Sequence, residues 1–479
     1  MSAPYLKSIN LTANQKEVFE GFKQFVENDS LNVFILKGYA GTGKTTLIRF
    51  FIERLKDQNL SYALLASTGR AAKIVSNATG TKASTVHSQI YSLKDFNQDL
   101  EEVVRKEKET GIDSTGQLYL TFELTTVMPS ANQKFYIIDE ASMISDAPDP
   151  NANQAVFGSG KLLTDLMQYD KNGKFVFVGD ECQLPPIWQD FSPALSAGYF
   201  RNNFNIKAVE YSLTDIVRQQ EDNSIIQASH ALRELYENPP QVRWGKLPLS
   251  QYKHIQVHPD FLSLIRNYIQ QVKGRNYDHT TFIASSNAKC SKANALIRNS
   301  LQMRPTLQVG DLLLVTQNNL ISGFMNGDMV VVEQIKTSRY QRAQLTFQMV
   351  ELRELVTNRR YTQLLIENIL YGGMTNLSLE QQKSLYIDFY LRLRDEGIKQ
   401  KDLAFRERLN TDPYLNALRC VFGYAITCHK AQGGEWNEVF VDIPRNLTLE
   451  SKPSGYQWIY TAVTRAREKL HIVKDFFIT

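Results

Sequence analysis

The segment GYAGTGKT at 38–45 carries the densest chemistry in this sequence. The apolar run NVFILKG leads into it and LIRFFIERL follows, so a strand delivers the chain to a glycine turn and a helix carries it away. In that setting a G-x-x-x-x-G-K-[ST] loop cradles phosphates with its amides, because the glycines permit an anion nest at a helix N-terminus. Lys44 is then placed to reach β- and γ-phosphates, and Thr45 to hold magnesium. The expected nucleotide contacts are Gly38, Gly41, Thr42, Gly43, Lys44, Thr45 and Thr46. Downstream, the strand FYIID ends in Asp139 and Glu140, a carboxylate for the metal and one to polarise an attacking water. The run GDECQLPP at 179–186 closes the next strand, where the uncharged Gln183 can sense a γ-phosphate without quenching catalytic charge. Cys182 beside it reads as a packed thiol rather than a reactive one.

These residues need a scaffold of parallel strands. NVFILKG, YALLAST at 62–68, FYIIDEAS at 135–142 and KFVFVGDE at 174–181 are short apolar runs that end in small or polar residues, separated by helix-compatible stretches. That is the pattern of a doubly wound α/β domain, expected over 1–205. AVEYSL at 208–213, TTFIASSN, FGYAITC, EVFVDI and LHIVKD form a second α/β set, giving a second domain over 206–479. An insertion at about 310–419 breaks it: GDLLLVTQ and NGDMVVVEQI read as strands of a small β-barrel, and the charged stretch LEQQKSLYIDFYLRLRDEGIKQKDLAFRERL as helices. A shorter insertion at 89–132 has a charged helical stretch followed by QLYLTFELTTV, which alternates like a hairpin strand. The Pro, Asn and Gly of SDAPDPNANQAVFGSG at 145–160 suggest a mobile surface loop.

Composition sets the outer bounds. The 479 residues allow about three domains at roughly 100–200 residues each. Lys plus Arg at 54 against Asp plus Glu at 50 leaves a net charge of +4, too little to mark a polyanion binder, so any such site must come from local placement. Four cysteines without a C-x-x-C pair argue against a disulfide scaffold and a zinc site, and fit a reducing cytosol. No signal-peptide core or apolar run of membrane-spanning length is seen, so a soluble, cytoplasmic protein is expected.

The motifs together resemble superfamily 1 helicases of the 5′-to-3′ type, the group with RecD-like and phage Dda-like enzymes. LTANQ at 11–15 is similar to the adenine-recognising Q motif, ASTGRAAK at 66–73 to motif Ia, and ASTVHS at 83–88 to the following DNA-contacting motif. GDECQLPP resembles motif III, LTDIVRQ at 213–219 motif IV, AITCHKAQGGEW at 425–436 motif V and YTAVTRAREKL at 460–470 motif VI. The resemblance implies two RecA-like motor domains using ATP and Mg²⁺, with Gln15 at the adenine and Glu435 at the ribose. It places Arg218 and Arg465 at the γ-phosphate as arginine fingers, a role suited to a planar cation beside phosphoryl oxygens. It gives Thr68, His87, Thr427 and His429 to the strand track, makes 89–132 a β-hairpin wedge that splits the duplex, and makes 310–419 a small barrel with an added helical part that contacts the wedge or the strand. Arg467 reads as an interdomain or surface charge. In motif Ia, Ser67 stands where the family usually has proline, which suggests a less rigid loop.

The implied activity is ATP-driven translocation on single-stranded DNA and unwinding at single-strand/duplex junctions, with a monomer competent to act. Two rivals share the motifs: a nucleotide-dependent binding switch that does not unwind, and an RNA-directed helicase of the same superfamily. Polarity rests on the resemblance alone.

Overall fold

The computed structural model describes residues 10–110, 117–127, 133–148, 155–215, 223–240, 242, 245–445 and 453–479. In the N-terminal part the strands are β1 (Val33–Gly38), β2 (Ser61–Ala66), β3 (Ala83–Thr85), β4 (Tyr91–Phe96), β5 (Leu120–Leu124), β6 (Lys134–Asp139), β7 (Ala155–Phe157), β8 (Lys174–Gly179) and β9 (Ala208–Leu213). Six of them make a parallel sheet in the order β3-β2-β6-β8-β1-β9. Side-chain alternation along a strand sorts β1 between two layers. Phe34 and Leu36 pack with Phe22, Phe51 and Leu55 on one face, and Val33 and Ile35 with Leu163 and Phe200 on the other. Because the strands are parallel, the loops after β1, β2, β3, β6 and β8 leave from one edge of the sheet, and the phosphate loop, motif Ia, the motif at 83–88, the Asp139-Glu140 pair and motif III lie on those loops.

The division expected at 205/206 is corrected by β9, which pairs along its whole length with β1, from Val33 opposite Ala208 to Gly38 opposite Leu213. AVEYSL is therefore the edge strand of the first sheet, not the start of the second. Its Phe34–Tyr211 ring stack, with centroids 5.2 Å apart, fastens it there.

The remaining strands are β10 (Ile255–His258), β11 (Thr280–Ala284), β12 (Leu312–Val315), β13 (Met329–Arg342), β14 (Leu345–Glu354), β15 (Arg360–Ile366), β16 (Cys420–Phe422), β17 (Ala425–Thr427), β18 (Trp436–Val441) and β19 (Ala466–Val473). A second parallel sheet runs β10-β19-β18-β11-β17. The insertion contributes the antiparallel order β15-β14-β13-β12-β16. Register shifts in β13 help bend it. Its edges meet where Ile366 N donates to Leu418 O at 3.0 Å and Leu418 N to Leu364 O at 2.8 Å. This is a rolled sheet with a short seam rather than a fully laddered barrel, filled by Leu313, Val315, Val330, Val332, Leu352 and Leu365.

The 89–132 insertion is more than a hairpin. β4 and β5 pair antiparallel, but the helix Leu100–Thr110 stands between them in sequence, and β7 adds a third strand parallel to β5. So part of the segment read as a mobile loop is ordered: Ala155–Phe157 is a strand, and Asp146 is buried, while 149–154 lie outside the described residues. The charged helices are equally structural. Leu385, Tyr386, Phe389 and Leu393 of the helix Leu379–Asp395 are buried with Phe405, and the cluster extends to Phe96, Leu100 and Val104 of the first-domain insertion. Phe96 meets Tyr386 edge-on at 4.9 Å, and Gln400 accepts from Leu100 N at 2.8 Å while donating to Asp95 at 3.0 Å. The two insertions thus brace each other.

Candidate nucleotide site and strand track

Gly41 and Gly43 take φ of 81° and 86°, left-handed values that suit glycine, and so turn the chain from β1 into the helix Lys44–Asp57. Gly43 caps that helix without a side-chain acceptor, which leaves its first amides for an anion. Lys44 Nζ donates to Gly38 O at 2.6 Å and Tyr39 O at 3.0 Å. Thr42 Oγ1 donates to Tyr39 O at 2.8 Å and is fully buried within the loop. Thr45 and Thr46 occupy the first turn of the helix.

Gln15 stands beneath this loop. It accepts from Thr12 N at 3.2 Å in a capping box, and its Nε2 donates to Thr42 O at 2.9 Å. A Cβ at Gly43 would lie 2.4 Å from that nitrogen, so the close approach also needs glycine. The amide of Gln15 therefore props the loop.

At the end of β6, Asp139 Oδ1 accepts from Glu140 N at 2.9 Å, and Glu140 sits at φ of 51°. Burial first, and then the neighbouring Glu140 charge, push the Asp139 carboxyl up to about 7, with Lys44 opposing. Glu140 Oε2 is buried without a hydrogen-bond partner, as is Gln183 Oε1. Ser67 N donates to Asp139 O at 3.3 Å. A proline there has no such donor, so the substitution read as loosening motif Ia instead ties it to the carboxylate strand.

The hard oxygen donors Thr45 and Asp139 fit a magnesium ion that takes its other ligands from phosphates and water. The orphaned Glu140 oxygen beside them is a further polar group left for solvent or substrate. Among the described residues no three His, Cys, Asp or Glu side chains form a resident metal cluster.

Residues of the second domain, on the helix Pro453–Val463 and at Gln432, close over motif III. Tyr460 OH donates to Asp180 Oδ2 at 2.8 Å and accepts from Ala40 N at 3.1 Å. Leu184 N donates to Thr461 Oγ1 at 2.8 Å, Gln432 Nε2 to Leu184 O at 3.1 Å, and Gln457 Nε2 to Glu181 O at 3.0 Å. Burial holds Asp180 above the usual carboxylate range, Lys44 pulling the other way. Cys182 is buried in this junction, and burial pushes its thiol up. Tyr39 donates to Glu237 at 3.0 Å beneath the Arg233 guanidinium, 4.1 Å from the ring centre. Sequence reasoning missed Tyr460, Gln432, Gln457 and Tyr39; all but Gln457 and Tyr39 lie inside motifs V and VI, where their types were visible but not their partners.

Arg465 is buried and donates to Thr461 O at 2.9 Å, Gly434 O at 3.1 Å and Thr464 Oγ1 at 3.1 Å. The structure thus sets it in the wall of its own domain. Arg70 of motif Ia comes across to the same place, stacked 4.2 Å from the Trp436 ring centre. Burial lowers it to about 10, against the attraction of Asp328 and with the Arg465 charge adding to the fall. Glu435 meets Arg467 at 2.9 Å, so the expected ribose acceptor is an ion-pair partner here. Arg218 lies outside the described residues.

The residues expected on the strand track fall in two matching places. Thr68 ends the turn after β2 and accepts from Ala71 N at 3.2 Å; Thr427 ends β17 and accepts from Lys430 N at 3.4 Å. Each hydroxyl caps a short strand-to-helix turn. His87 packs edge-on against Phe157 at 5.3 Å, and burial lowers it to about 4, so it is neutral at pH 7. His429 is lowered by burial and then by Lys430. The insertion reaches both turns: Met325 lies against Gly69, Lys430 bonds Asn326, and Lys73 meets Asp328 and Glu354 at 2.5 and 2.6 Å.

A phosphate loop, a strand-terminal carboxylate pair and a motif III held by a second parallel-sheet domain define a two-domain P-loop motor ATPase. Comparison with known proteins shows what the chain is similar to. Residues 10–240 match the AAA domain family and 422–473 the UvrD-like helicase C-terminal domain. The ATP-dependent RecD2 DNA helicase of Deinococcus radiodurans is 23% identical over 91% of this chain, which spans 46% of that protein. The ATP-dependent DNA helicase dda of enterobacteria phage T4 is 41% identical over 80 residues, 16% of this chain and 18% of that one. The Bacteroides Pif1 helicase in complex with ADP-AlF3 and single-stranded DNA shares the fold with a TM-score of 0.51 at 17% identity, over 98% of this chain and 94% of the other. These matches support an ATP-dependent DNA helicase similar to the RecD2 and dda enzymes. Among the described residues no helix is long and apolar enough to cross a membrane.

Proposed function

We propose that this chain moves 5′ to 3′ along single-stranded DNA and opens the duplex ahead of it, one step per ATP hydrolysed, as a monomer. The observation that carries this reading is the Tyr460 hydroxyl, bonded at once to the phosphate loop and to Asp180 of motif III. Whatever alters the loop or motif III is felt by the helix Pro453–Val463, and through Gln432 by the turn bearing Thr427 and His429. Nucleotide state and strand grip are then mechanically linked.

In this account the amides of the loop and Lys44 take the phosphates, Lys44 exchanging the carbonyls of Gly38 and Tyr39 for phosphate oxygens. Glu140 orients the attacking water and accepts its proton, and Gln183 reads the γ-phosphate. Magnesium, held by Thr45 and Asp139, would supply charge neutralisation at the phosphates. Arg218 and Arg465 supply positive charge from the second-domain side, Arg465 by giving up bonds to its own domain. Thr68 and His87 hold the strand on one domain, Thr427 and His429 on the other, and their alternate grip moves it. The wedge formed by β4 and β5, braced by Tyr386 and Gln400, parts the duplex at the junction.

The test is steady-state ATP hydrolysis with magnesium in the presence of no polymer, single-stranded DNA or single-stranded RNA. Strong stimulation by DNA is expected. Equal or greater stimulation by RNA would move the reading to an RNA motor, and indifference to both would move it to a nucleotide switch.

A further inference from the structure

Arg70 is only 8% exposed, yet its Nε is buried without a hydrogen-bond partner, and among the described residues no ion pair reaches its guanidinium. A buried cation with no acceptor is costly, and such a group calls for an explanation. What holds it is the Trp436 ring, whose centre is 4.2 Å away, a cation–π contact that uses none of the N–H donors. Burial lowers Arg70 to about 10, and the Asp328 and Glu354 carboxylates that pull the other way are already bonded to Lys73, one turn along the same helix.

The unpartnered donor stands beside an acceptor that another arginine occupies. A Cβ on Gly434 would lie 2.8 Å from both Cζ and Nε of Arg70, so the approach needs glycine. The carbonyl of Gly434 accepts from one terminal nitrogen of Arg465 at 3.1 Å. Two arginines, one from motif Ia and one from motif VI, thus flank a single residue of motif V. The approach is held in place. Thr68 Oγ1 caps the helix Gly69–Thr79 by accepting from Ala71 N at 3.2 Å, and a Cβ on Gly433 would lie 3.1 Å from that of Ala71. Arg70 therefore moves with Thr68, two residues before it on the turn expected to hold the strand.

We infer that Arg70 and Arg465 exchange at the Gly434 carbonyl: when Arg465 turns to the γ-phosphate, the Arg70 Nε–H takes its place on Gly434 O and draws the Thr68 turn toward motif V. This rests on the phosphate role of Arg465 and the strand role of Thr68 proposed above. The exchange satisfies two groups at once, because a buried carbonyl abandoned by Arg465 and a buried guanidinium without an acceptor each carry a penalty. Arg70 is then a positioning residue, passing the nucleotide state to the strand grip while touching neither nucleotide nor strand.

The test is the affinity of the full chain for a fluorescent oligo-dT strand, read by anisotropy with magnesium, with and without a non-hydrolysable ATP analogue. Wild type, Arg70→Met and Arg70→Lys are compared, with thermal melting as the check on folding. The analogue should change the wild-type affinity by about tenfold, within the usual span of coupling between two sites. Arg70→Met keeps the length of the side chain but no donor, and its ratio should fall to within about twofold of one. Arg70→Lys keeps a cation without the Nε donor and should lie between; it carries the test should Arg70→Met fail to fold. An unchanged ratio in the variants would overturn the exchange. So would an equal loss of dT affinity with and without the analogue, which would make Arg70 a direct strand contact. A wild-type ratio of one would instead overturn the link between nucleotide and strand on which the exchange stands.

Discussion

Tyr460 donates its hydroxyl to the Asp180 carboxylate at 2.8 Å and receives the Ala40 amide at 3.1 Å, so one side chain of the second domain holds both the phosphate loop and motif III of the first. Burial keeps the phenol far above its ordinary range, and it stays a neutral donor throughout the working pH range. A hydrogen bond to a charged partner is worth about 1.5–3 kcal/mol. Tyr460→Phe should therefore lower DNA-stimulated ATP turnover by about tenfold or more, with ATP binding much less affected. Stopped-flow measurement of single-turnover hydrolysis beside equilibrium nucleotide binding separates the two; equal losses in both would make Tyr460 merely structural.

Glu140 presents a buried, unpartnered carboxylate oxygen next to Asp139. Replacing it by Gln keeps size and polarity but removes the base. Turnover should fall by about 10²–10⁴-fold with ATP and DNA binding retained. A Glu140→Gln protein that hydrolyses ATP at the wild-type rate would assign the base elsewhere.

The proposed wedge depends on a contact between insertions that are far apart in the chain. Phe96→Ala removes the ring packed on Tyr386 and leaves a cavity costing about 3–5 kcal/mol locally. Strand separation should slow several-fold, while DNA-stimulated ATPase stays within about twofold. The paired assays on one forked substrate check this, and a parallel fall in both rates would mean that the damage reaches the motor.

Lys430, next to His429, is lowered to about 8 by burial. Its ammonium is therefore present at pH 7 and lost as pH rises through 8, and a nearby DNA phosphate would hold the proton on. Single-strand affinity should fall between pH 7 and 9, with proton uptake on binding, and Lys430→Met should flatten the profile. For stability the sign is opposite: a lysine with depressed folded pKa binds fewer protons folded than unfolded, so stability rises with pH between about 8 and 10. Anisotropy titrations across pH test the first statement and denaturant melts the second.

The motifs were legible because each is a short contiguous signal: GYAGTGKT between a strand and a helix, or Asp139-Glu140 at the end of an apolar run. The burial of the strands that carry them followed from the near-continuous apolar runs of β1 and β8. What could not be read was partnership over long separations. Tyr460 is an ordinary aromatic until Asp180 is beside it, and AVEYSL looks like any strand until its pairing with β1 places it in the first sheet. Glu435 and Gln15, expected at the nucleotide, also have protein partners that the sequence does not reveal, Arg467 and Thr42. The charged helix Leu379–Asp395 read as polar because its buried Tyr and Leu positions are diluted by Arg, Lys and Asp that pair at its rim, as Arg392 does with Asp388.

The central claim is directional strand separation driven by ATP, and it is tested most directly on two duplexes identical except for the tail. With ATP and magnesium, the duplex bearing only a 5′ single-stranded tail should be unwound and the one with only a 3′ tail should not, and Lys44→Ala should unwind neither. Preferential opening from the 3′ tail, or unwinding by Lys44→Ala, would contradict the account.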